Sequence, residues 1–196
     1  MVTALPPTRR YTIDDLDDFP DDGRLRELVD GRIVEWDVPS RRNGLLESEL
    51  TRVVGNFVRE HHLGSIASGE VMVRIMGSRH DARGSDIEFT RRGRLSQDDL
   101  DAPAALTVPD LVVEVISPGD RADRVLDKVH DWLRTGVRLL WYVNPETGGT
   151  AVYQREHVSY VEAGELLDGG DVLPGFQVRM RDLLQAIAGD LAEDAD

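Results

Sequence analysis

The sequence predicts an α/β (α+β) domain: a mixed central sheet flanked by helices, with an N-terminal hairpin and a C-terminal β-meander. Two stretches carry that reading. Pro109 to Pro145 (PDLVVEVISPGDRADRVLDKVHDWLRTGVRLLWYVNP) reads as strand, turn, helix, strand. A crossover of that length joins parallel strands in the right-handed sense. RLRELVDGRIVEWDV holds two short β-like runs around Asp30-Gly31, and Asp-Gly in that position marks a tight hairpin because a type I′ turn needs positive φ.

Taken in order, TIDDLDDF reads as a short helix capped by the Thr12 hydroxyl, broken by Asp21 to Gly23. The hairpin follows, with Glu27 on the same face as the apolar Leu25 and Val29 by the two-residue period. From Asn43 to His62, Leu46, Leu50, Val53, Val54, Phe57 and Val58 recur at threes and fours, which predicts an amphipathic helix. Gly64 is expected to end it in the left-handed conformation. His61 and His62 suit the helix dipole better than a metal. Strands are expected at Ser65–Ser68, Glu70–Met76 and Ser85–Thr90, with GSRHDARG as a loop and its His80-Asp81 pair structural. Residues 91–109 should hold a short helix and turns. LVVEVI is nearly continuous apolar, the pattern of a strand covered on both faces. After Ser117-Pro118-Gly119, Asp120 is expected to cap a helix to about Arg134, stopped by Gly136. VRLLWYVN is the second buried strand, TAVYQ and HVSYVE the meander, and Met180 to Ala188 the last helix.

The chain has 196 residues, enough for one domain with a sizeable core. Residues 1–10 are expected to be disordered, 11–188 to form the domain and 189–196 to be an acidic tail. No run of about 18 apolar residues is present, and the first ten residues lack a signal-peptide core. The expectation is a cytoplasmic protein with no membrane partner. Absence of cysteine excludes disulfides and leaves oxygen or nitrogen as metal ligands. A net charge of −14 opposes nonspecific grip on nucleic acid, although arginines cluster at Arg41-Arg42 and at Arg91, Arg92 and Arg94.

Two residues of the central stretch stand out. Lys128 is the single lysine among 23 basic residues, and an ammonium is a compact charge with a movable pKa, unlike a guanidinium. It borders the apolar face of its helix, close enough for its stem to reach the strand end near Glu114. Glu114 interrupts an apolar strand, where a carboxylate needs a partner or a metal. Asp110 shares its face but lies roughly 13 Å away along the strand. The partner should therefore come from a neighbouring strand, and Asp86 in SDIEF is the natural candidate, with Glu88 deeper along the same face. An Asp and a Glu from adjacent strands with a lysine suit metal-assisted phosphodiester hydrolysis.

The chain resembles the Uma-type group of restriction-endonuclease-like proteins, within the PD-(D/E)xK nuclease superfamily. The matching pieces are RELVDGRIV with Glu27, SDIEF, PDLVVEVISP, the helix DRADRVLDKVHDWLRTGV, and LLWYVNPE followed by LPGF. The resemblance implies a restriction-endonuclease-like αβββαβ core, Mg²⁺ (with Mn²⁺ as substitute) and cleavage of DNA. Asp86 is similar to the family's metal aspartate and Glu114 to its second acid. The lysine expected two residues later is replaced by Ile116 and is matched by Lys128 on the next helix; Glu27 resembles an additional acid. Ser85, Asn43 and Asn144 depart from the family's proline, histidine and acid.

The reading is a Mg²⁺-dependent DNA endonuclease using Asp86, Glu114, Lys128 and Glu27, with Asp86 and Glu114 on the metal. The alternatives are a catalytically weak or inactive nuclease-like module that binds protein or nucleic acid, and a small-substrate phosphohydrolase. A homodimer is expected only because cutting both strands with one site per chain needs two.

Overall fold

A computed structural model describes residues 9–189 except 21, 23, 37, 118, 155 and 156. The expected disordered start and acidic tail fall largely outside those residues, as do Asp21 and Gly23 of the first turn and Pro118 of the Ser-Pro-Gly turn.

A 3₁₀ turn at Ile13–Asp18 comes first. Thr12 and Asp15 close on each other in a capping box, the Thr12 hydroxyl also donating to the Asp15 carboxylate, which takes the Thr12 N–H. Strands β1 (Leu25–Val29) and β2 (Arg32–Trp36) form the hairpin. Asp30 and Gly31 both adopt positive φ, 47° and 73°, as a type I′ turn requires. Helix α1 (Arg41–Glu60) is capped by the Ser40 hydroxyl, which accepts the Asn43 N–H. Strand β3 (Gly64–Arg74) merges two expected strands through a bulge between Ser68 and Val71, and pairs along β4 (Ala82–Arg91).

The left-handed residue after α1 is His62 (φ 55°), not Gly64. Gly64 is required for a different reason: a Cβ there would lie 2.1 Å from the carbonyl oxygen of Thr90. Its bare backbone lets the end of α1 lie against the end of β4.

A short helix α2 (Gln97–Asp101) occupies the connector. Strand β5 (Leu111–Val115), helix α3 (Ala122–Thr135) and strand β6 (Leu139–Val143) form the crossover, with β5 and β6 parallel. Gly136 stops α3 at φ 109°. Asp120 does not cap it. Its carboxylate accepts the Ser117 N–H at 2.8 Å and belongs to the preceding turn, while Arg121 stands at the cap position and gives the helix no side-chain cap. Strands β7 (Thr150–Gln154) and β8 (His157–Val161) complete the meander, β9 (Leu167–Asp168) and β10 (Gln177–Val178) pair apart from the main sheet, and α4 (Met180–Gly189) ends the described chain.

The main sheet runs β2-β1-β4-β5-β6-β7-β8, with β3 on the other edge of β4. Alternation decides the two faces. Leu111, Val113 and Val115 of β5 pack with Leu46, Leu50, Val54 and Val58 of α1 and with Met180 and Leu183 of α4. Val112 points the other way, to Val129 and Trp132 of α3. Glu114, two residues on, is therefore on the α3 face.

One feature of the register opens the sheet for a site. β4 pairs with β1 only at Ala82 and with β5 only from Ile87 to Phe89. Ala82 and Ile87 both also pair with β3, so β1 and β5 share one edge of β4. From Arg83 to Asp86 that edge is free of ladder partners, and side chains take their place.

Candidate active site

At this split the sheet places Asp86, Glu114 and Lys128 around one pocket of about 40 Å³. The Asp86 carboxylate accepts the N–H of Val115, which holds β4 to the end of β5 where the ladder has stopped. Glu114 is buried at 4% exposure. Its Oε2 lies 2.8 Å from the Lys128 ammonium and its Oε1 accepts the Trp132 indole N–H at 2.8 Å. Lys128 and Trp132 are one turn apart on α3, so a single helix face supplies both partners. Lys128 is 7% exposed, so its head does not reach solvent in the manner of a surface lysine.

Glu27 approaches from β1 and is saturated. Its Oε1 accepts the Gly84 N–H at 3.1 Å and lies 3.0 Å from the Lys128 ammonium. Its Oε2 accepts the Trp36 indole at 2.8 Å and the Arg83 guanidinium at 2.9 Å. Arg83, itself buried, also pairs with Asp131 of α3 at 2.6 Å. Asp131, Arg83, Glu27, Lys128 and Glu114 thus form one buried chain of alternating charge across three strands and α3.

Electrostatics follow from that crowding. Burial alone would raise the Glu27 carboxyl, but the charges of Lys128 and Arg83 outweigh it and hold the group below the usual range. Burial alone would lower the Lys128 ammonium, yet Glu114 and Glu27 hold it well above the usual lysine range. Lys128 therefore stays a cation. Of its three N–H donors, two serve carboxylates, leaving one for the pocket.

Three further residues escaped the sequence reading. Glu70, on the β3 bulge, lines the pocket beside Asp86. It takes a positive φ of 58° next to Gly69 at 93°, a conformation that a side chain adopts only when its surroundings enforce it. Space for it exists because Gly84 has no side chain: a Cβ there would meet Glu70 Oε2 at 2.6 Å. Burial pushes the Glu70 carboxyl up to about 8; Lys128 opposes this and Asp86 reinforces it. Bulges beside sites re-aim side chains in this way. Glu47 of α1 and Asp120 complete the acidic lining. Burial raises both carboxyls, with Asp86 adding to the effect.

The other residues singled out in the sequence lie elsewhere. Asp110 is bound by Arg94 at 2.6 Å and takes the Arg91 N–H, so it is separate from Glu114 as the spacing implied. Glu88 is buried near Ser85, which donates to it at 3.5 Å, and burial pushes its carboxyl to about 7. The His80 ring contacts the Tyr11 carbonyl at 2.7 Å. Asn43 anchors α1 to the end of β5, donating to the Ile116 carbonyl at 3.1 Å and the Ser117 hydroxyl at 2.9 Å. Asn144 accepts the N–H groups of Glu146 and Thr147 in a turn. Among the described residues no three His, Asp or Glu side chains converge tightly enough to enclose a metal ion.

The sequence profile of the Uma2 family, described as "Putative restriction endonuclease", matches residues 13–182. The chain belongs to the Uma2 family. The fold agrees with that of a solved structure described as a putative nuclease belonging to DUF820 from Anabaena variabilis ATCC 29413. The two superpose with a TM-score of 0.76 at 18% identity, over 89% of this chain and 97% of that one. No curated protein matches this Uma2 chain significantly. Among the described residues no helix is long and apolar enough to cross a membrane.

Proposed function

We propose that this chain is a metal-dependent DNA endonuclease that hydrolyses phosphodiester bonds at the pocket between β4, β5 and α3. The observation that carries the reading is the delivery of Asp86, Glu114 and Lys128 to one pocket from three elements. In this reading Asp86 and Glu114 hold Mg²⁺, or Mn²⁺ in its place. The donor set fits such an ion. Mg²⁺ is held by one or two carboxylates and keeps several waters, and the pocket has room for roughly three water-sized groups. The crowded carboxyls of Glu70, Glu47 and Asp120, all raised, also lack a second cation besides Lys128.

When bound, the ion supplies a water of lowered pKa and neutralises charge developing on the phosphorus oxygens. The protein's own residues do the rest. Lys128, held charged by its two carboxylates, cannot take a proton; it donates its remaining N–H to the attacking water or a phosphate oxygen. Glu27, with two protein donors on each oxygen where Glu114 has one, positions that ammonium instead of binding the ion. Trp132 fixes the Glu114 carboxylate so that one edge faces the pocket.

The test is plasmid and oligonucleotide cleavage with Mg²⁺ or Mn²⁺, alongside calorimetric titration of each ion. Glu114→Gln and Asp86→Asn, which keep an acceptor in place, should abolish cutting and weaken ion binding with the fold retained. A parent protein that cuts no DNA and binds neither ion ends the proposal. The second reading, a nuclease-like module without catalysis, draws on one observation: both Glu114 oxygens are occupied by protein donors. Under it, DNA or protein binding survives Asp86→Ala unchanged.

A further inference from the structure

A groove lies between α1 and β3, one turn of α1 away from the pocket. Glu47 of α1 and Glu70 of β3 line the pocket. One turn further along α1 the groove begins at Thr51 and Arg52, and it continues past Arg59 to His62, with Ser65 and Ile66 of β3 on its other wall. Gly55 keeps the two elements close, since a Cβ there would touch Ile66 at 3.4 Å. Beyond Gly64 the groove passes into a second hollow lined by Arg91 and Arg92. The close approach that Gly64 permits is what brings these arginines beside Arg59.

The charge of this groove is opposite to that of the molecule. The chain carries 37 acidic residues against 23 basic ones, yet neither hollow is lined by a single Asp or Glu. Arg52 is paired with Glu49 at 2.6 Å. Among the described residues Arg59, Arg91 and Arg92 form no ion pair, as is also true of Arg32, Arg41, Arg42, Arg74, Arg124, Arg179 and Arg181; what sets these three apart is that they line hollows without an acidic side chain. Three exposed arginines along hollows free of Asp and Glu give this groove a positive surface in an acidic protein.

We propose that the α1–β3 groove is the track for the phosphate backbone of a DNA strand leading from the pocket, with Arg59, Arg91 and Arg92 as its phosphate contacts. The proposal rests on the endonuclease reading and names the surface that holds its substrate. From Thr51 to His62 the helix rises about 16 Å, the length of roughly five nucleotides at about 3.4 Å per step of one strand. Acidic surface elsewhere repels the duplex and directs it to this groove.

The test is fluorescence anisotropy of a labelled 20-mer duplex with the full chain in EDTA, over a salt series, for the parent and Arg59→Ala/Arg92→Ala. Both side chains are exposed and stand outside the pocket, so the thermal midpoint should not move. The slope of log Kd against log salt should fall by about 2, since each lost phosphate contact removes about 0.9. Cleavage of the 20-mer should weaken, while hydrolysis of a dinucleotide ester too short to reach the groove stays at the parental rate. A double variant with the parental affinity and slope overturns the groove and leaves the endonuclease reading standing. A parent that binds the duplex with the expected slope but cuts nothing with Mg²⁺ or Mn²⁺ overturns that reading and leaves the groove. A parent that binds no duplex overturns both.

Discussion

The ammonium of Lys128 stands 2.8 Å from Oε2 of Glu114, and both side chains are buried. The same ammonium lies 3.0 Å from Glu27, so one cation balances two carboxylates from different strands. Removing a single partner from such a pair leaves an uncompensated buried charge. Lys128→Met should therefore destabilise the fold by about 3–5 kcal/mol. Lys128→Met combined with Glu114→Leu should recover part of that loss, because Glu114 is then no longer left unpaired while Glu27 keeps Arg83 at 2.9 Å. Urea unfolding of the parent and the two variants checks this. A loss under about 1 kcal/mol for Lys128→Met, typical of an exposed pair, would show that the ammonium is not buried in solution.

Glu114 and Lys128 were legible because each broke a pattern: an acid inside an apolar strand, and one lysine among arginines. Asp86 followed, since two carboxylates on one strand are too far apart to share a site. The crossover was legible from its length and the hairpin from Asp-Gly. Glu70 was not. The sequence reads as two strands separated at Gly69, and a bulge that turns Glu70 inward by a positive φ leaves no periodic trace. Arg83 and Asp131 were hidden for another reason. Each looks like an ordinary surface charge, and their burial depends on the split between β1 and β5 along β4. Gly64 was noticed for the wrong property, conformational freedom instead of close approach.

Two glycines give opposite expectations. Gly44 lies within α1, and nothing comes within 4 Å of a Cβ built there. Gly44→Ala should stabilise by about 0.5–1 kcal/mol by restricting the unfolded chain. At Gly64 a Cβ meets the Thr90 carbonyl at 2.1 Å, and backbone cannot step aside as a flexible side chain can. Gly64→Ala should destabilise by about 3 kcal/mol or more. Thermal unfolding of both variants is enough, and equal midpoints would contradict the packing of α1 against the end of β4.

Stability of the metal-free protein should fall as pH rises through neutrality. Burial pushes the Glu70 carboxyl to about 8 and the Glu88 carboxyl to about 7, from an ordinary value of 4.5. Between 4.5 and those values the folded chain holds protons that the unfolded chain has released, so raising the pH favours unfolding. Groups held low, such as Glu27 and Asp110, act in the opposite sense but at more acidic pH. The thermal midpoint measured from pH 5 to 8.5 should decline, and Glu70→Gln or Glu88→Gln should each flatten part of the decline. A midpoint that rises across this range would mean that these carboxyls are ionised and paired in the folded state.

Asp131 acts on the pocket at one remove. It holds Arg83 at 2.6 Å, Arg83 holds Glu27 at 2.9 Å, and Glu27 holds the Lys128 ammonium at 3.0 Å. Asp131→Ala leaves the buried guanidinium with one carboxylate in place of two, and should destabilise by about 3 kcal/mol or more. Asp131→Asn keeps an acceptor at nearly the same position and should fold. Under the endonuclease reading, its effect should fall on kcat with KM unchanged, because the disturbed residue is the ammonium at the reacting phosphate and not a substrate-binding surface. Asp131→Glu should restore part of the rate by restoring the charge. Steady-state kinetics on a labelled duplex separate these terms. An Asp131→Asn protein with parental kcat would show that the buried chain from Asp131 to Lys128 serves the fold alone.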